Sequence, residues 1–349
     1  MTSSSRPILP TPDALVTGGQ FNVGTYKEPL RTVNPLDAAI GSRPRWWKNL
    51  RLKEWQHFAL VNDDYYLSLA LFNAKTIGLA QVCVYERRYG SIKFYERKTV
   101  PWKIELPTAL WNDRAAYRGK GFSIEIENGL ERGRHDISFE LAAQRDLPAL
   151  SGRFTLLEDL ASSEPLVVCL PLKPKRAMYT HKYVCPVEGE MTLGDETVSF
   201  APAESYGLID IHKGYYPFVM KWHWATGGGY NEAGRLCGFN LTDNQVKDQE
   251  AYNENCLWID GRLFPLPPVK FKFVHKDVIK PWRITDADGL VDLTFTPEVV
   301  RTIDIKALIL HSRYRGPFGS FSGRLQTADG EELNLDRYFG MCEDFYLRT

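Results

Sequence analysis

Alternation of apolar and polar residues, interrupted by short turn sequences, runs through most of this chain and constrains its fold more than any other feature. From Trp55 onward the pattern appears in WQHFALVN, YYLSLALFN and GLAQVCVYER, and it returns in HDISFELAAQ. A period of two residues is typical of strands, whose side chains point alternately to the two faces of a sheet. Convincing helical periodicity is almost absent. The sequence therefore predicts an all-β chain.

The two halves of the chain carry related patterns, which indicate an internal repeat. An aromatic-led hairpin at residues 55–73 matches another at residues 222–240, and a Pro-Trp-basic-Ile element occurs at residues 101–104 and again at 281–284. Near the end of each half, the spacing of strands and turns aligns further positions: Gly189 with Gly323, Gly207 with Gly340, and Asp210 with Glu343.

These patterns also limit the architecture. Residues 1–45 are rich in Pro, Ser, Thr and Gly and lack periodicity, which predicts an extended N-terminal arm. About eight to ten short antiparallel strands in each remaining half are enough to close into a barrel or to form a sandwich. We therefore predict two related lipocalin-like (calycin-type) β-barrels or sandwiches in tandem, the first over residues 46–214 and the second over residues 215–349.

The composition argues against several classes of partner. Lys and Arg together number 43, as do Asp and Glu, so the formal net charge is zero and no basic surface for nucleic acid is indicated. The N-terminal residues lack the apolar run of a signal peptide, and no window approaches the length of a transmembrane segment. The six cysteines are scattered without a CxxC pair, as expected of reduced core thiols. We expect a cytoplasmic protein.

Acidic residues and a histidine near the junction of the two halves are the candidate catalytic groups. Asp210 and His212 lie two residues apart, so their side chains share one face of a strand. With Glu254 they could donate and accept protons, and burial beside tryptophans would raise a carboxyl pKa and keep that acid protonated at neutral pH. The alternatives are that Asp210 caps a turn and that Glu254 lies in a solvated turn. The match of Asp210 with Glu343 also allows an acidic residue that serves the fold.

Aromatic and polar residues, mostly in the second half, are predicted to contact a substrate. Trp222 and Trp224 share one strand face and could hold an isoprenoid, stack on a sugar ring or fill a core. The histidines show neither HxH nor HxxxH spacing, so we expect no metal ion. We also expect no cofactor, because the Gly-rich turn is not part of a phosphate-loop sequence. The predicted substrate-binding residues are Tyr216, Trp222, Trp224, Asn240, Asn255, Arg313 and Glu343.

The motifs from Asp210 onward carry a resemblance to a known family. They are DxHxGxxP, then WxW, a Gly-rich turn, GFNL, ENCLWIDG, FGSFSG and a C-terminal GxxE. Over roughly residues 20–349 the chain resembles the bacterial and fungal family catalogued as domain of unknown function 2804. More distantly, it resembles the two-domain lipocalin-like group that includes hydroxyneurosporene synthase (carotenoid 1,2-hydratase) and fungal pericyclase-type Diels–Alderases.

The distant resemblance implies two lipocalin-like barrels and apolar small-molecule ligands. Its hydratase-type members carry an acidic–aromatic motif in the position of Asp210-Ile211-His212, but this chain has no Trp at residues 211–213. The hydratase chemistry itself is therefore not carried over.

Together these features predict a protein that binds an apolar or amphipathic small molecule, such as an isoprenoid, polyketide or lipid. If it is an enzyme, we expect a lyase of the hydratase type, an isomerase or a cyclase that performs hydration, elimination, isomerisation or cyclisation without a cofactor. The alternatives are a non-catalytic carrier of lipids or metabolites, and a carbohydrate-active or carbohydrate-binding protein. The sequence specifies neither the substrate nor an oligomeric state.

Overall fold

The computed structural model describes residues 6–307 and 310–348, and its regular structure is almost entirely β-strand. The strands up to residue 214 are β1 (Ile8–Leu9), β2 (Val16–Thr17), β3 (Gln20–Phe21), β4 (Gly24–Tyr26), β5 (Lys53–Val61), β6 (Tyr65–Asn73), β7 (Gly78–Glu86), β8 (Ser91–Thr99), β9 (Ile104–Glu105), β10 (Asp113–Gly119), β11 (Phe122–Gly129), β12 (Arg134–Leu141), β13 (Leu150–Leu157), β14 (Leu166–Lys173), β15 (Arg176–Leu193), β16 (Glu196–Phe200) and β17 (Tyr206–Gly214). The later strands are β18 (Val219–Tyr230), β19 (Leu236–Asp243), β20 (Cys256–Ile259), β21 (Arg262–Pro265), β22 (Val269–Lys272), β23 (Trp282–Asp286), β24 (Val291–Ala307), β25 (Leu310–Gln326) and β26 (Glu332–Arg348).

Helical structure is sparse. Within the described ranges it consists of α1 (Arg45–Arg51) and the 3-10 turns Pro35–Asp37, Pro101–Lys103 and Leu130–Arg132. None of these segments has the length and hydropathy that a membrane-crossing helix needs.

The chain forms two compact units. The N-terminal unit consists of Pro10–Cys169 and Lys175–Tyr215. The C-terminal unit consists, as far as its residues are described, of Met1–Leu9, Leu170–Pro174 and Tyr216–Thr349. Each unit is built on one long antiparallel sheet. The predicted fold class, all-β with two tandem antiparallel sheets of the barrel or sandwich type, is confirmed.

In the N-terminal unit the strand order along the sheet is β8-β7-β6-β5-β17-β15-β13-β12-β11-β10-β9. The predicted alternation is clearest in β12, where every second side chain is buried, from His135 to Leu141. Part of the N-terminal segment belongs to this unit as well, because Leu15 and Leu30 are fully buried in an apolar cluster with Val167 and Tyr179.

In the C-terminal unit the order is β21-β20-β19-β18-β26-β25-β24-β23-β22. Its core is strongly aromatic. The indole of Trp282 is fully buried and stacks on Phe273, with ring centroids 3.8 Å apart, and Phe295 and Phe321 pack nearby. Large buried rings of this kind supply much of the apolar area that stabilises a sheet core.

The two units share a pairing register, which confirms the internal repeat. In the N-terminal unit β5 lies between β6 and β17, and Trp55 faces His212. In the C-terminal unit β18 lies between β19 and β26, and Trp222 faces Phe345. The same strands therefore hold the matched residues in both units.

The aligned glycines Gly189 and Gly323 are a second sign of the repeat. Their φ angles are +143° and +127°, in the region that favours glycine. A Cβ at either position would collide with the carbonyl oxygen of the neighbouring strand, that of Arg153 or Asp292 respectively. Both glycines therefore allow a close approach to the neighbouring strand at the same place of the repeat.

One proposed element of the repeat is wrong. The Pro-Trp-basic-Ile sequence at residues 101–104 forms a 3-10 turn in which Trp102 is 78% exposed, whereas Trp282 of the second copy lies inside β23 and is fully buried. The first sequence leads into β9, at the edge of its sheet. The second forms the start of β23, which lies between β22 and β24. A short aromatic motif does not specify burial by itself, since that depends on the strand that contains it.

Candidate functional site

Three adjacent strands of the N-terminal unit, β5, β17 and β15, bring polar side chains together on one face of the sheet. Asp210 of β17 lies directly between His57 of β5 and Lys182 of β15. His212, on the same face two residues later, lies in the same way between Trp55 of β5 and Thr180 of β15. We call this group the Asp210 cluster; it comprises Trp55, His57, Thr180, Lys182, Asp210 and His212.

Asp210 is the hydrogen-bond acceptor at the centre of the cluster. Its Oδ1 atom accepts a bond from Lys182 Nζ at 2.5 Å and from His212 Nε2 at 2.8 Å. Its Oδ2 atom accepts a bond from Trp55 Nε1 at 3.2 Å. Asp210, His212 and Lys182 are all buried. The structure therefore brings Asp210 and His212 together, as their spacing predicted.

His212 is held in one orientation. The indole of Trp55 stacks on the imidazole, with centroids 4.4 Å apart and planes inclined by 21°. Because a carboxylate can only accept, Nε2 of the ring carries the hydrogen that bonds Asp210. The other nitrogen, Nδ1, lies 2.9 Å from Thr180 Oγ1.

Electrostatics make Asp210 an anion. Burial alone would raise the pKa of its carboxyl, but the nearby Lys182 and His212 outweigh burial and lower that pKa below its usual range. Burial beside tryptophans was expected to raise a carboxyl pKa, but at Asp210 the neighbouring Lys182 and His212 outweigh burial. Burial also lowers the pKa of His57 to about 4, so this imidazole is neutral at physiological pH.

Most of the cluster could not be located from local sequence. Trp55, His57, Thr180 and Lys182 were not among the predicted site residues, because they come from strands far from Asp210 in the chain. One signal was available for Trp55. The repeat aligns it with Trp222 and aligns Asp210 with Glu343, so two tryptophan–carboxylate pairs could have been inferred.

The C-terminal unit contains the counterpart of this arrangement. Trp222 Nε1 donates a hydrogen bond to Glu343 Oε1 at 2.7 Å, and the Trp222 ring stacks on Phe345 with centroids 4.1 Å apart and planes inclined by 20°. A tryptophan, a carboxylate and a stacked ring thus occur in both units. Glu343, predicted to bind substrate, bonds Trp222 in the same way that Asp210 bonds Trp55, as the alternative of an acidic residue that serves the fold would require. What distinguishes the N-terminal unit is the chemistry of the remaining positions.

The side chains around the carboxylate differ between the two units. Where the N-terminal unit has His212, the C-terminal unit has Phe345. Where it has His57, the repeat places Trp224, and Lys182 corresponds by the same alignment to Gly316. The titratable groups next to the carboxylate are therefore present in the N-terminal unit and replaced in the C-terminal unit.

Glu254, the third predicted catalytic residue, lies in the C-terminal unit between β19 and β20, not on the strands of the Asp210 cluster. Its Oε2 atom accepts a hydrogen bond from Asn244 Nδ2 at 3.4 Å. The neighbouring backbone is tied down, because Asn240 Nδ2 donates to the Glu254 carbonyl at 2.7 Å. Trp224 Nε1 in turn donates to Asn240 Oδ1 at 2.6 Å.

Asn255 also serves this segment. Its Oδ1 atom accepts from the Thr242 amide at 2.6 Å and its Nδ2 atom donates to the Pro267 carbonyl at 2.9 Å. The buried guanidinium of Arg6 bonds the side chain of Asn253 and the carbonyl of Asn255. The oxygen and the nitrogen of the Asn255 side-chain amide are thus both bonded to backbone atoms, so the contacts favour a structural role over ligand binding.

The two remaining predicted binding residues lie in the C-terminal unit. The ring of Tyr216 is 6.2 Å from that of Trp222, in a tilted arrangement. The Arg313 guanidinium is 3.6 Å from the buried Asp344 carboxylate and lies over the Tyr346 ring. These contacts partly neutralise the charge of Arg313, which was predicted to bind substrate.

Two groups of histidines and carboxylates have ligand atoms close enough to share a metal ion. One is His135, Glu158 and His181 in the N-terminal unit, and the other is His223, His275 and Asp344 in the C-terminal unit; within each, the ligand atoms lie within 4.8 Å of one another. Neither group was predicted, since their members are not closely spaced in the sequence.

Two solved structures are similar to this chain over most of its length. Among solved structures, kievitone hydratase from Nectria haematococca is similar with a TM-score of 0.49 and 11% identity, covering 84% of this chain and 88% of that one. A protein assigned as an ATTH from Nitrosomonas europaea is similar with a TM-score of 0.44 and 12% identity, covering 85% of this chain and 93% of that one. No curated protein matches the sequence significantly.

A family comparison is more specific. The sequence model described as domain of unknown function (DUF2804) matches residues 9–348, nearly the whole chain. The family predicted from the motifs after Asp210 is thereby confirmed. The chain belongs to the family of the domain of unknown function DUF2804.

Proposed function

We propose that this protein is an enzyme that moves protons to and from an apolar or amphipathic small molecule, catalysing hydration, elimination or isomerisation without a redox cofactor. The observation that carries the proposal is the buried bond between Asp210 and His212 with Lys182 on the same carboxylate oxygen. Perturbed titratable groups held in a buried cluster are typical of catalytic sites.

His212 is the proton carrier in this proposal. Its Nε2 hydrogen is fixed on an ionised Asp210, so the neutral ring can accept a proton at Nδ1. The imidazolium that forms is stabilised by the adjacent carboxylate, and stacking on Trp55 keeps the ring from turning. Asp210 is accordingly an orienting anion and not the acid that donates the proton.

Lys182 has a separate role. An ammonium has hydrogens in addition to the one bonded to Asp210, and a buried positive charge stabilises negative charge that develops on a substrate oxygen. A base and a cation on neighbouring strands suit reactions that pass through an enolate or an alkoxide. Apolar surface is present beside them, since Trp55 also packs against Phe72 with centroids 6.1 Å apart.

The internal repeat supports a catalytic role over a purely structural one. If the cluster served only to hold the sheet together, the tryptophan–carboxylate pair of the C-terminal unit would meet that need without His212 or Lys182. The C-terminal unit has that pair, completed by Phe345. The additional titratable groups of the N-terminal unit therefore need a different explanation, and proton transfer is the one their chemistry favours.

The proposal can be tested by measuring whether the protein introduces deuterium from the solvent at carbon atoms of a small molecule. The protein is incubated with a small-molecule extract in D2O, and mass spectrometry identifies compounds that gain deuterium at non-exchangeable positions. We expect labelled compounds with the wild type and with His223→Gln, a matched histidine change in the C-terminal unit, and their loss with His212→Gln.

Two outcomes would contradict the proposal. Equal labelling by His212→Gln would exclude this histidine as the proton carrier. A compound that copurifies with the wild type but is never labelled or altered would identify a carrier instead of an enzyme.

A further inference from the structure

A second group of titratable residues lies on the other side of the strand that carries Lys182. His181 is its chain neighbour on β15 and so points to the opposite face of the sheet. There it meets His135 of β12 and Glu158, which directly follows β13. These strands are adjacent in the order β12-β13-β15, and the three side chains are fully buried.

Glu158 holds both histidines through separate oxygens. Its Oε2 atom is 2.9 Å from His135 Nε2, and its Oε1 atom is 2.8 Å from His181 Nε2. Ligand atoms at about 2.0–2.1 Å from a zinc ion lie roughly 3.0–3.4 Å from one another. Each histidine nitrogen thus lies within a few tenths of an ångström of that spacing from a Glu158 oxygen, and the ligand atoms of all three residues lie within 4.8 Å of one another.

The protonation of His135 also suits a metal ligand. Its Nδ1 atom is 3.2 Å from Asn128 Oδ1, and an amide oxygen only accepts, so Nδ1 carries a hydrogen. A metal ion would take the place of the hydrogen that Nε2 donates to Glu158, while Nδ1 keeps its own hydrogen on Asn128. Histidines that bind metal ions usually donate their other ring hydrogen to an oxygen in this way. Asn128 is itself held by Gln56, because each side-chain amide donates a hydrogen bond to the oxygen of the other at 3.4 Å.

Polar atoms near the group indicate a further ligand. The Nδ1 atom of His181 and the hydroxyl of Tyr179, which lies on the same face of β15, are buried and have no hydrogen-bond partner among the described residues. Buried polar groups are rarely left unsatisfied. Water bound to an ion would supply a partner for the Tyr179 hydroxyl in a site that is otherwise enclosed.

From these contacts we propose that His135, Glu158 and His181 bind a divalent transition-metal ion, with zinc the ion best suited to two imidazoles and one carboxylate. The ion would link three neighbouring strands inside the N-terminal unit. The proposal does not depend on the proposed function, since the Asp210 cluster lies on the opposite face of β15.

The other candidate group differs in its charges. Asp344, which would be the carboxylate ligand beside His223 and His275, is 3.6 Å from Arg313 and 3.5 Å from Arg315. Two guanidinium groups at that distance oppose the binding of a cation. Asp344→Asn is therefore a suitable control, because it removes a carboxylate of similar setting outside the proposed site.

The experiment supplies the metal while the chain folds, because a fully buried site exchanges ions slowly. The protein is produced in minimal medium containing cobalt, passed through gel filtration with a chelator, and examined by elemental analysis and visible absorption. We expect a stoichiometric amount of cobalt with the d–d bands of a four- or five-coordinate ion, retained by Asp344→Asn and lost in both Glu158→Gln and His181→Asn.

The proposal is overturned if folded wild-type protein contains neither cobalt nor zinc after this treatment. It is also overturned if folded Glu158→Gln keeps the same metal content and spectrum. Should Glu158→Gln fail to fold, the comparison rests on His181→Asn and on the wild type. The metal content of the wild type alone decides whether an ion is present.

Discussion

Asp210 illustrates how neighbouring charges can reverse the effect of burial on one residue. A buried carboxyl without partners would take up a proton, since desolvation disfavours the charged form. Lys182 and His212 on the same oxygen change that balance and lower its pKa. The charges of the cluster are therefore interdependent, and removing one partner should affect the others.

This interdependence gives a prediction for Asp210 and Lys182. Asp210→Asn leaves the Lys182 ammonium buried without its counter-charge, which we expect to lower the free energy of unfolding by about 3–5 kcal/mol. Lys182→Met combined with Asp210→Asn should recover a large part of that loss. Urea unfolding of the wild type, both single variants and the double variant measures the coupling. Additive effects of the two substitutions would contradict it.

His57 predicts a dependence of stability on pH. Its pKa is about 4 in the folded protein, against 6.5 for an exposed histidine, so between these pH values the unfolded chain binds the extra proton. Stability from this residue is thus complete above pH 6.5 and falls as the pH is lowered toward 4. The full loss corresponds to about 3 kcal/mol.

Replacing His57 with Gln should remove this contribution. Unfolding free energies of the two proteins, measured from pH 7 to pH 4, should converge as the pH falls. A constant difference across that range would show that His57 titrates normally in the folded protein.

At this scale, part of the site was predictable. The contact between Asp210 and His212 follows from their spacing on a strand, and the structure contains it. Lys182 and Trp55 could not be found in the same way, because cross-strand pairing is set by the fold and not by nearby sequence. Without Lys182, the sequence does not indicate that neighbouring charge outweighs burial at Asp210.

At the scale of strands, Gly189 in β15 and Gly323 in β25 occupy equivalent positions. Each has a positive φ and faces a carbonyl oxygen of the adjacent strand so closely that no side chain fits. Phe154 lies opposite the first and Leu293 opposite the second.

We therefore expect Gly189→Ala and Gly323→Ala to destabilise the protein strongly, on the order of 3 kcal/mol or more, since backbone strain and steric overlap combine. The control is Gly90→Ala, which has a φ of +62° and open space around its Cβ position. It should cost about 1–2 kcal/mol for the left-handed conformation alone. Thermal and urea unfolding compare them; similar effects for all three would show that steric overlap contributes little.

The strand scale also shows the limit of motif matching. The repeat was correct where it rested on spacing across whole strands, as for Trp55 and Trp222. It was wrong for Trp102 and Trp282, which share a four-residue pattern but differ in strand, partner and burial. The spacing of residues across whole strands indicates the register of a sheet, whereas a short motif indicates only the local composition.

At the scale of the whole molecule, the all-β class followed from the period of the sequence, because alternating burial is a property of every strand. The cysteines fit that picture. All six are free and buried, in both units. Burial raises the pKa of Cys237 to about 11 and raises that of Cys342 well above its usual value, which suppresses the reactive thiolate.

We predict that a thiol reagent such as dithionitrobenzoate labels almost none of the cysteines in the native protein at pH 8 and all six after denaturation. The count of reactive thiols over time measures this directly. Rapid labelling of one or more cysteines under native conditions would mean that the strand containing them opens readily. Mass spectrometry of the labelled peptides would identify that strand.

The pairing of β5 with β17 has a consequence for how the protein is made. Trp55 and Asp210, which meet across these strands, are separated by 155 residues. A ribosome adds roughly 5–20 residues per second, so β5 emerges on the order of 10 s before the strand it must pair with. Until then its edge is open to other chains, and a nascent chain that stops short of Asp210 lacks every bond that this residue accepts. The Asp210 cluster is therefore one of the last features of its unit to form during synthesis.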